Sequence, residues 1–126
     1  VGIACVAANG FLVRVLKNVF ERARPVAMQT FDQVSGWSFP SGHAAGTMMV
    51  CASAAWFSWR LLPRGWSVFV LTLMAALTFA VGASRIVLGV HYPSDVLAGF
   101  ALAATHCALM IILLESPWLG QSKQHR

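Results

Sequence analysis

Two long stretches of the sequence are almost free of charge. Residues 66–84 (WSVFVLTLMAALTFAVGAS) and residues 96–114 (VLAGFALAATHCALMIILL) contain no Asp, Glu, Lys or Arg. A helix needs about 20 mainly apolar residues, with a lower limit of about 17, to cross the hydrocarbon core of a bilayer. Both stretches therefore predict membrane-spanning helices, and this constrains the fold more than any other feature of the chain.

Two further apolar segments precede these stretches. Residues 44–59 (AAGTMMVCASAAWFSW) are uncharged, and a first segment runs from Val1 to about Ala23. Because proline disfavours a helical conformation in the residue before it, we expect Pro25 to end the first helix. Small residues within the segments suit close helix packing in lipid. We therefore predict an all-α integral membrane helical bundle with about four transmembrane helices, forming a single domain over residues 1–126.

The composition excludes other classes of protein. Charged residues make up 10% of the chain, against about 25% in soluble domains, which is too few to cover a water-facing surface. The net charge of +5 does not indicate a nucleic-acid partner, because Lys and Arg form no stripe with interleaved aromatic residues. The three cysteines show no disulfide or metal-binding pattern.

Four membrane spans place the connections 25–40 and 85–93 on the same side of the membrane. The other side receives the basic residues Arg60, Arg64, Lys123 and Arg126. Cytoplasmic loops are enriched in Lys and Arg. The first side is also basic, but charges that belong to a binding site should not be counted. We therefore expect the connections 25–40 and 85–93 to face away from the cytoplasm, as in a periplasmic-type site.

Polar residues around the connection 25–40 form the first half of a candidate site. Lys17 and Arg24 are seven residues apart, which is two helical turns and predicts that both lie on one helix face. Ser41 precedes the next apolar segment and is a natural N-cap for a helix that begins near His43. The start of a helix binds anions through its free backbone N–H groups.

The second half of the candidate site follows the third apolar segment. Arg85 ends that segment, and His91 stands just before the fourth. Asp95 falls in the first turn of the last helix, because Pro93 suits a first helical turn. This set of groups suits a phosphoryl group, whose transition state spreads negative charge over its oxygens. One histidine can attack phosphorus, the carboxylate can hold its tautomer, and the other histidine can protonate the leaving oxygen.

These residues resemble the three signature motifs of the type 2 phosphatidic acid phosphatase superfamily. The motifs are KNVFERARP (17–25), PSGH (40–43) and SRIVLGVHYPSD (84–95), and every specified position is filled at the right spacing. The apolar segments are similar to the last four of the six membrane helices usual in the membrane branch. Because two helices are absent and the chain begins at Val1 without a methionine, we expect a C-terminal fragment or a processed form of a longer protein.

The resemblance implies a role for each candidate residue. His91 would be the nucleophile that forms a phosphohistidine, Asp95 would orient it, and His43 would be the general acid on the leaving group. The phosphate oxygens would be bound by Lys17, Arg24, Arg85, Ser41 and the Gly42 backbone. No cofactor is implied, and no metal is expected, because the few acidic residues are too scattered for a two-metal clamp.

The resemblance also implies a substrate class. It predicts a metal-independent membrane phosphatase that hydrolyses a lipid-linked phosphate or diphosphate, of the undecaprenyl diphosphate or phosphatidylglycerophosphate type. The expected partners are the lipid phosphate and the bilayer. Two alternatives remain open: a phosphatase of the same superfamily acting on phosphatidic acid or another phosphoester, and a non-catalytic module that binds or transports a lipid phosphate. Vanadium haloperoxidases share the motifs, but the membrane spans argue against them.

Overall fold

The computed structural model describes residues 2–25 and 36–115 and contains four helices in this part of the chain. They are α1 (Gly2–Phe20), α2 (Gly42–Leu61), α3 (Arg64–Val87) and α4 (Pro93–Glu115). No strand occurs in the described ranges, which confirms the predicted all-α bundle. Both α3 and α4 are long and apolar enough to cross a membrane. Lys123 and Arg126, used above to orient the chain, lie outside the described residues.

Helix α2 contacts each of the three other helices. It approaches α4 closely at Gly99, where a Cβ atom would lie 2.6 Å from the carbonyl oxygen of Ser41 and 3.1 Å from the nitrogen of Ala45. Helix α3 approaches α4 at Gly82, where a Cβ atom would lie 2.5 Å from the ring of Phe100. At Gly99 the absence of a side chain lets the backbones of α2 and α4 approach each other, which joins the start of α2 to α4.

We expect Gly99→Ala to destabilise the protein, because the added methyl group would overlap backbone atoms that cannot rotate away. Overpacking of this kind costs about 1–3 kcal/mol, measurable as a lower thermal unfolding midpoint in detergent. The matched control is Gly46→Ala in α2, since no atom lies within 4 Å of a Cβ built at Gly46. Equal midpoints for the two variants would contradict the close approach at Gly99.

Large apolar side chains cover the outer faces of α3 and α4. Phe69, Phe79, Leu97 and Ile112 are each more than half exposed. Water-soluble monomers rarely expose contiguous apolar patches larger than a few hundred Å². On helices that can span a bilayer, a surface of this kind faces lipid.

The two ends of the bundle carry different groups. At one end, Arg60 pairs with Glu115 and the Arg64 guanidinium lies 4.0 Å from the centre of the Trp59 ring. At the other end, the residues that follow α1 and precede α2 meet the loop between α3 and α4. The described residues of the connection 25–40 therefore lie at the same end of the bundle as the connection 85–93.

The first helix ends earlier than predicted. It stops at Phe20, and Glu21 has a φ of +42°, a left-handed conformation that commonly terminates helices. Beyond it, the backbone N–H of Ser38 donates to the carbonyl of Arg22 at 2.7 Å. The expectation that the helix continues to Pro25 is therefore wrong, because the residues after Glu21 pair with the segment that leads into α2.

Candidate active site

Two predicted cations, Lys17 and Arg24, are held by loop carbonyl groups. Lys17 lies in the last turn of α1, and its Nζ donates to the carbonyl of Trp37. Arg24 donates through Nε to the carbonyl of Gly36 and through Nη1 to the carbonyl of Val90, both at 3.0 Å. The predicted placement of both side chains on one helix face is wrong, because α1 ends before Arg24. The loops nevertheless bring both cations to the same end of the bundle.

Ser41 caps α2 as predicted. Its hydroxyl accepts a hydrogen bond from the backbone N–H of Ala44 at 3.4 Å. Its own N–H donates to the backbone carbonyl of Asp95 at 2.9 Å, which fixes the start of α2 against the start of α4. Gly42 is the first residue of α2, and the side chain of His43 in the same turn is exposed. The first turn of α2 thus offers free N–H groups that can bind an anion.

His91 and Asp95 form the chemical centre of the site. Both are buried, His91 in the loop before α4 and Asp95 in the first turn of that helix. The Nδ1 atom of His91 lies 3.5 Å from Oδ2 of Asp95, and the backbone N–H of Tyr92 donates to the same oxygen at 2.9 Å. With Nδ1 facing the carboxylate, Nε2 is the ring nitrogen left to attack an electrophile.

Two further residues bind the Asp95 carboxylate and were not predicted. The hydroxyl of Ser38 donates to Oδ2 and lies 3.4 Å from Nδ1 of His91. The Nη1 atom of Arg22 lies 2.7 Å from Oδ1. Arg22 is one of the six unspecified residues in KNVFERARP, and Ser38 stands just before the PSGH motif. The sequence offers one indication that Arg22 and Ser38 belong to the site: each is a polar residue within or beside a motif.

The remaining predicted residues lie at neighbouring helix ends. Arg85 is in the last turn of α3, where its Nε donates to the hydroxyl of Ser84 at 3.1 Å. Its backbone carbonyl accepts from the N–H of Val90 in the loop that carries His91, at 3.2 Å. Within the described ranges, neither Arg85 nor His43 forms an ion pair with Asp95. The ion partner of Asp95 is instead Arg22.

The surroundings of His91 favour its neutral form. Burial lowers the pKa of His91, and the positive charges of Arg24 and Lys17 lower it further, whereas Asp95 acts in the opposite direction. The pKa of His91 is therefore lowered from its ordinary value of 6.5, which favours the uncharged imidazole. A neutral imidazole beside fixed cations is suited to attack a negatively charged phosphate group.

Comparisons with known proteins identify the family of this chain. Residues 2–117 match the family model of the PAP2 superfamily. The chain is 38% identical to phosphatidylglycerophosphatase B of Bacillus subtilis, over 72% of this chain and 45% of the relative. It is 35% identical to lipid A 1-phosphatase of Rhizobium johnstonii, over 90% and 50%. It is 38% identical to decaprenylphosphoryl-5-phosphoribose phosphatase of Mycobacterium tuberculosis, over 76% and 50%.

The fold has a solved counterpart. It is similar to the crystal structure of the first transmembrane PAP2 type phosphatidylglycerolphosphate phosphatase from Bacillus subtilis, with a TM-score of 0.77 and 29% sequence identity. That match covers 99% of this chain and 59% of the other. The chain thus spans about half the length of the curated relatives it matches.

Proposed function

This chain belongs to the PAP2 superfamily, and we propose that it is a membrane phosphatase that hydrolyses a lipid-linked phosphate through a phosphohistidine on His91. One observation carries this proposal: Nδ1 of His91 lies 3.5 Å from the buried carboxylate of Asp95, where the charges of Arg24 and Lys17 act on the ring. A module that only bound or transported a lipid phosphate would need the cations but not an oriented nucleophile.

The proposed reaction has two steps. In the first, Nε2 of His91 attacks phosphorus, an N–P bond forms, and the bond from phosphorus to the leaving oxygen breaks. His43 donates a proton to that oxygen, and Asp95 stabilises the positive charge that develops on the imidazole. In the second step, water attacks phosphorus and gives a proton to His43, and the N–P bond breaks. Inorganic phosphate leaves and His91 returns to its neutral form.

The cations and the start of α2 are assigned to the phosphate oxygens. An arginine side chain carries five N–H donors, and Arg24 spends two of them on backbone carbonyls, which leaves others for phosphate. The complete proposed set is Lys17, Arg24, Arg85, Ser41 and the backbone of Gly42. Because these groups supply fixed positive charge where the transition state gains negative charge, we propose that the reaction needs no metal.

The proposed substrate carries its phosphate on a lipid. The candidate site lies at one end of a bundle whose outer faces are apolar, so a polar headgroup can reach it while the hydrocarbon chain stays in the membrane. The names of the relatives specify phosphatidylglycerophosphate, lipid A and a decaprenylphosphoryl sugar phosphate. For this chain we propose phosphatidylglycerophosphate or undecaprenyl diphosphate.

We also propose that the site faces the periplasm from a bacterial inner membrane. Arg60 and Arg64 lie at the opposite end of the bundle, where an excess of basic residues is typical of the cytoplasmic side. Four cations lie at the site end: Lys17, Arg22, Arg24 and Arg85. The first three are engaged by loop carbonyls or by Asp95 and Arg85 is in the proposed phosphate-binding set, so none of them is counted as a topology signal.

Phosphate release by the full-length protein in detergent tests the function. We expect faster release from phosphatidylglycerophosphate or undecaprenyl diphosphate than from a water-soluble sugar phosphate. EDTA should leave the rate nearly unchanged, and vanadate, a phosphate mimic, should inhibit. Faster hydrolysis of the soluble ester would contradict the lipid assignment. A loss of activity in EDTA that magnesium restores would reject the mechanism without metal.

A further inference from the structure

The side chain of Arg22 contacts several groups around the loop that carries His91. Its Nη1 donates to Oδ1 of Asp95 and to Oγ of Ser94, both at 2.7 Å. Its guanidinium carbon lies 4.2 Å from the centre of the Tyr92 ring, within the range of a cation–π contact. One side chain thus spans the residues that immediately follow His91 and ends on the carboxylate that orients it.

Ser38 binds the same carboxylate at its other oxygen. Its hydroxyl donates to Oδ2 of Asp95 and lies within 3.4 Å of Nδ1 of His91. Ser38 is also joined to Arg22 through the backbone, by the 2.7 Å hydrogen bond from its N–H to the Arg22 carbonyl. The two residues are therefore held together, and each takes one oxygen of the carboxylate.

We propose that Arg22 and Ser38 are positioning residues that hold the Asp95 carboxylate in place and aimed at His91. The proposal rests on the proposed role of His91 as the nucleophile. A carboxylate removed from water is unfavourable unless it is paired and hydrogen-bonded. Arg22 supplies the compensating charge, and Ser38 fixes the oxygen that faces the imidazole.

The burial of Asp95 distinguishes this pair from an ordinary surface ion pair. The Asp95 side chain is 0% exposed and that of Arg22 is 39% exposed. At the opposite end of the bundle, Arg60 and Glu115 are 52% and 47% exposed, and the Arg60 guanidinium lies 5.0 Å from the Trp56 ring centre. Exposed pairs contribute little, so the Arg60 pair is a matched control with the same chemical groups.

The loss of the Arg22 charge should change the titration of His91 in a defined direction. Without it, the protonated ring is repelled less, and the negative charge of Asp95 is less compensated. Both effects favour imidazolium and raise the pKa of His91. The other charged or titratable groups around His91 are unchanged; they are Lys17 on α1, Arg24 after α1, Asp95 on α4, and His43 and Arg85 at the ends of α2 and α3.

The test compares Arg22→Gln, Arg22→Lys and Arg60→Gln in the full-length protein in detergent. We expect Arg22→Gln to lower kcat about tenfold or more, as loss of an outer-shell partner does in other sites, with KM little changed. The acid limb of kcat/KM should move to higher pH. Arg22→Lys keeps the positive charge, so the acid limb of kcat/KM should stay at its wild-type pH and kcat should be partly recovered. Arg60→Gln should change neither quantity.

A second measurement does not depend on turnover. The pKa of His91 can be followed by NMR with ring-labelled histidine, with His91→Gln used to assign the resonance. A higher His91 pKa in Arg22→Gln than in wild type would support the positioning role. This holds even if the wild-type protein releases no phosphate, because that result would reject only the proposed function. An unchanged pKa, or an equal change in Arg60→Gln, would overturn the positioning role.

Variants of Ser38 test the positioning role independently if the Arg22→Gln protein does not fold. Ser38→Ala removes one hydrogen bond to Asp95 without changing any charge, so we expect a lower kcat and little change in KM. Ser38→Thr retains the hydroxyl and should recover part of kcat. Equal kcat in wild type and Ser38→Ala would contradict the role of Ser38.

Discussion

We expect His91→Ala to abolish phosphate release from the lipid substrate. His91 lies beside an orienting carboxylate with Nε2 left for attack, and alanine provides no nucleophile. Loss of the nucleophile in a serine protease lowers kcat by about 10⁶-fold, and a loss of comparable size is expected here. The measurement is the initial rate at saturating substrate, on protein whose thermal unfolding midpoint matches the wild type.

His106→Ala is the control for the loss of a histidine. His106 lies in the middle of α4, far along that helix from the loop that carries His91, and has no role in the proposed reaction. The variant should therefore retain the wild-type rate. Substantial turnover in His91→Ala would show that the nucleophile has been assigned to the wrong residue.

Asp95→Asn should lower kcat by about 10⁴-fold, the size of the effect of the equivalent change in a Ser-His-Asp triad. The amide keeps the shape of the carboxylate but has one oxygen and one NH₂ group. Because Oδ1 accepts from Arg22 and Oδ2 accepts from the N–H of Tyr92, the NH₂ group must face a donor in either orientation. The ring of His91 then loses its charge partner and its fixed tautomer.

The pH profile separates this effect from simple unfolding. Asp95 raises the pKa of His91, so its neutralisation should lower that pKa and move the acid limb of kcat/KM to lower pH. This direction is opposite to the one expected for Arg22→Gln. Glu115→Gln, which removes the acid of the exposed pair at the other end of the bundle, should leave the profile unchanged. An acid limb of kcat/KM at the same pH in Asp95→Asn and wild type would contradict the proposed coupling between Asp95 and His91.

The sequence predicted the features of this fold that depend on neighbouring residues. The two uncharged stretches predicted the helices α3 and α4. The side chain of Ser41 predicted the N-cap of α2, and Pro93 lies in the first turn of α4 as expected. The family resemblance implied that Asp95 orients His91, and Oδ2 of Asp95 lies 3.5 Å from Nδ1 of His91. Each of these features is fixed within a few residues of the chain.

Features that depend on distant parts of the chain were not predictable in this way. Helix α1 ends at Phe20 because the following residues pair with Ser38, and no local signal marks that pairing. In the sequence, Arg22 is one of several basic residues near the end of the first apolar segment. Its role depends on a carboxylate more than seventy positions away in the sequence, which the packing of α4 brings beside it.

The central claim is that His91 becomes phosphorylated during turnover, and the most direct test is rapid-quench labelling with a substrate that carries radioactive phosphorus. The label should appear on the protein before free phosphate accumulates, survive alkali, be lost in acid, and map to His91. It should be absent from His91→Ala. Label on Ser41, or steady release of phosphate with no labelled protein at any quench time, would contradict the account.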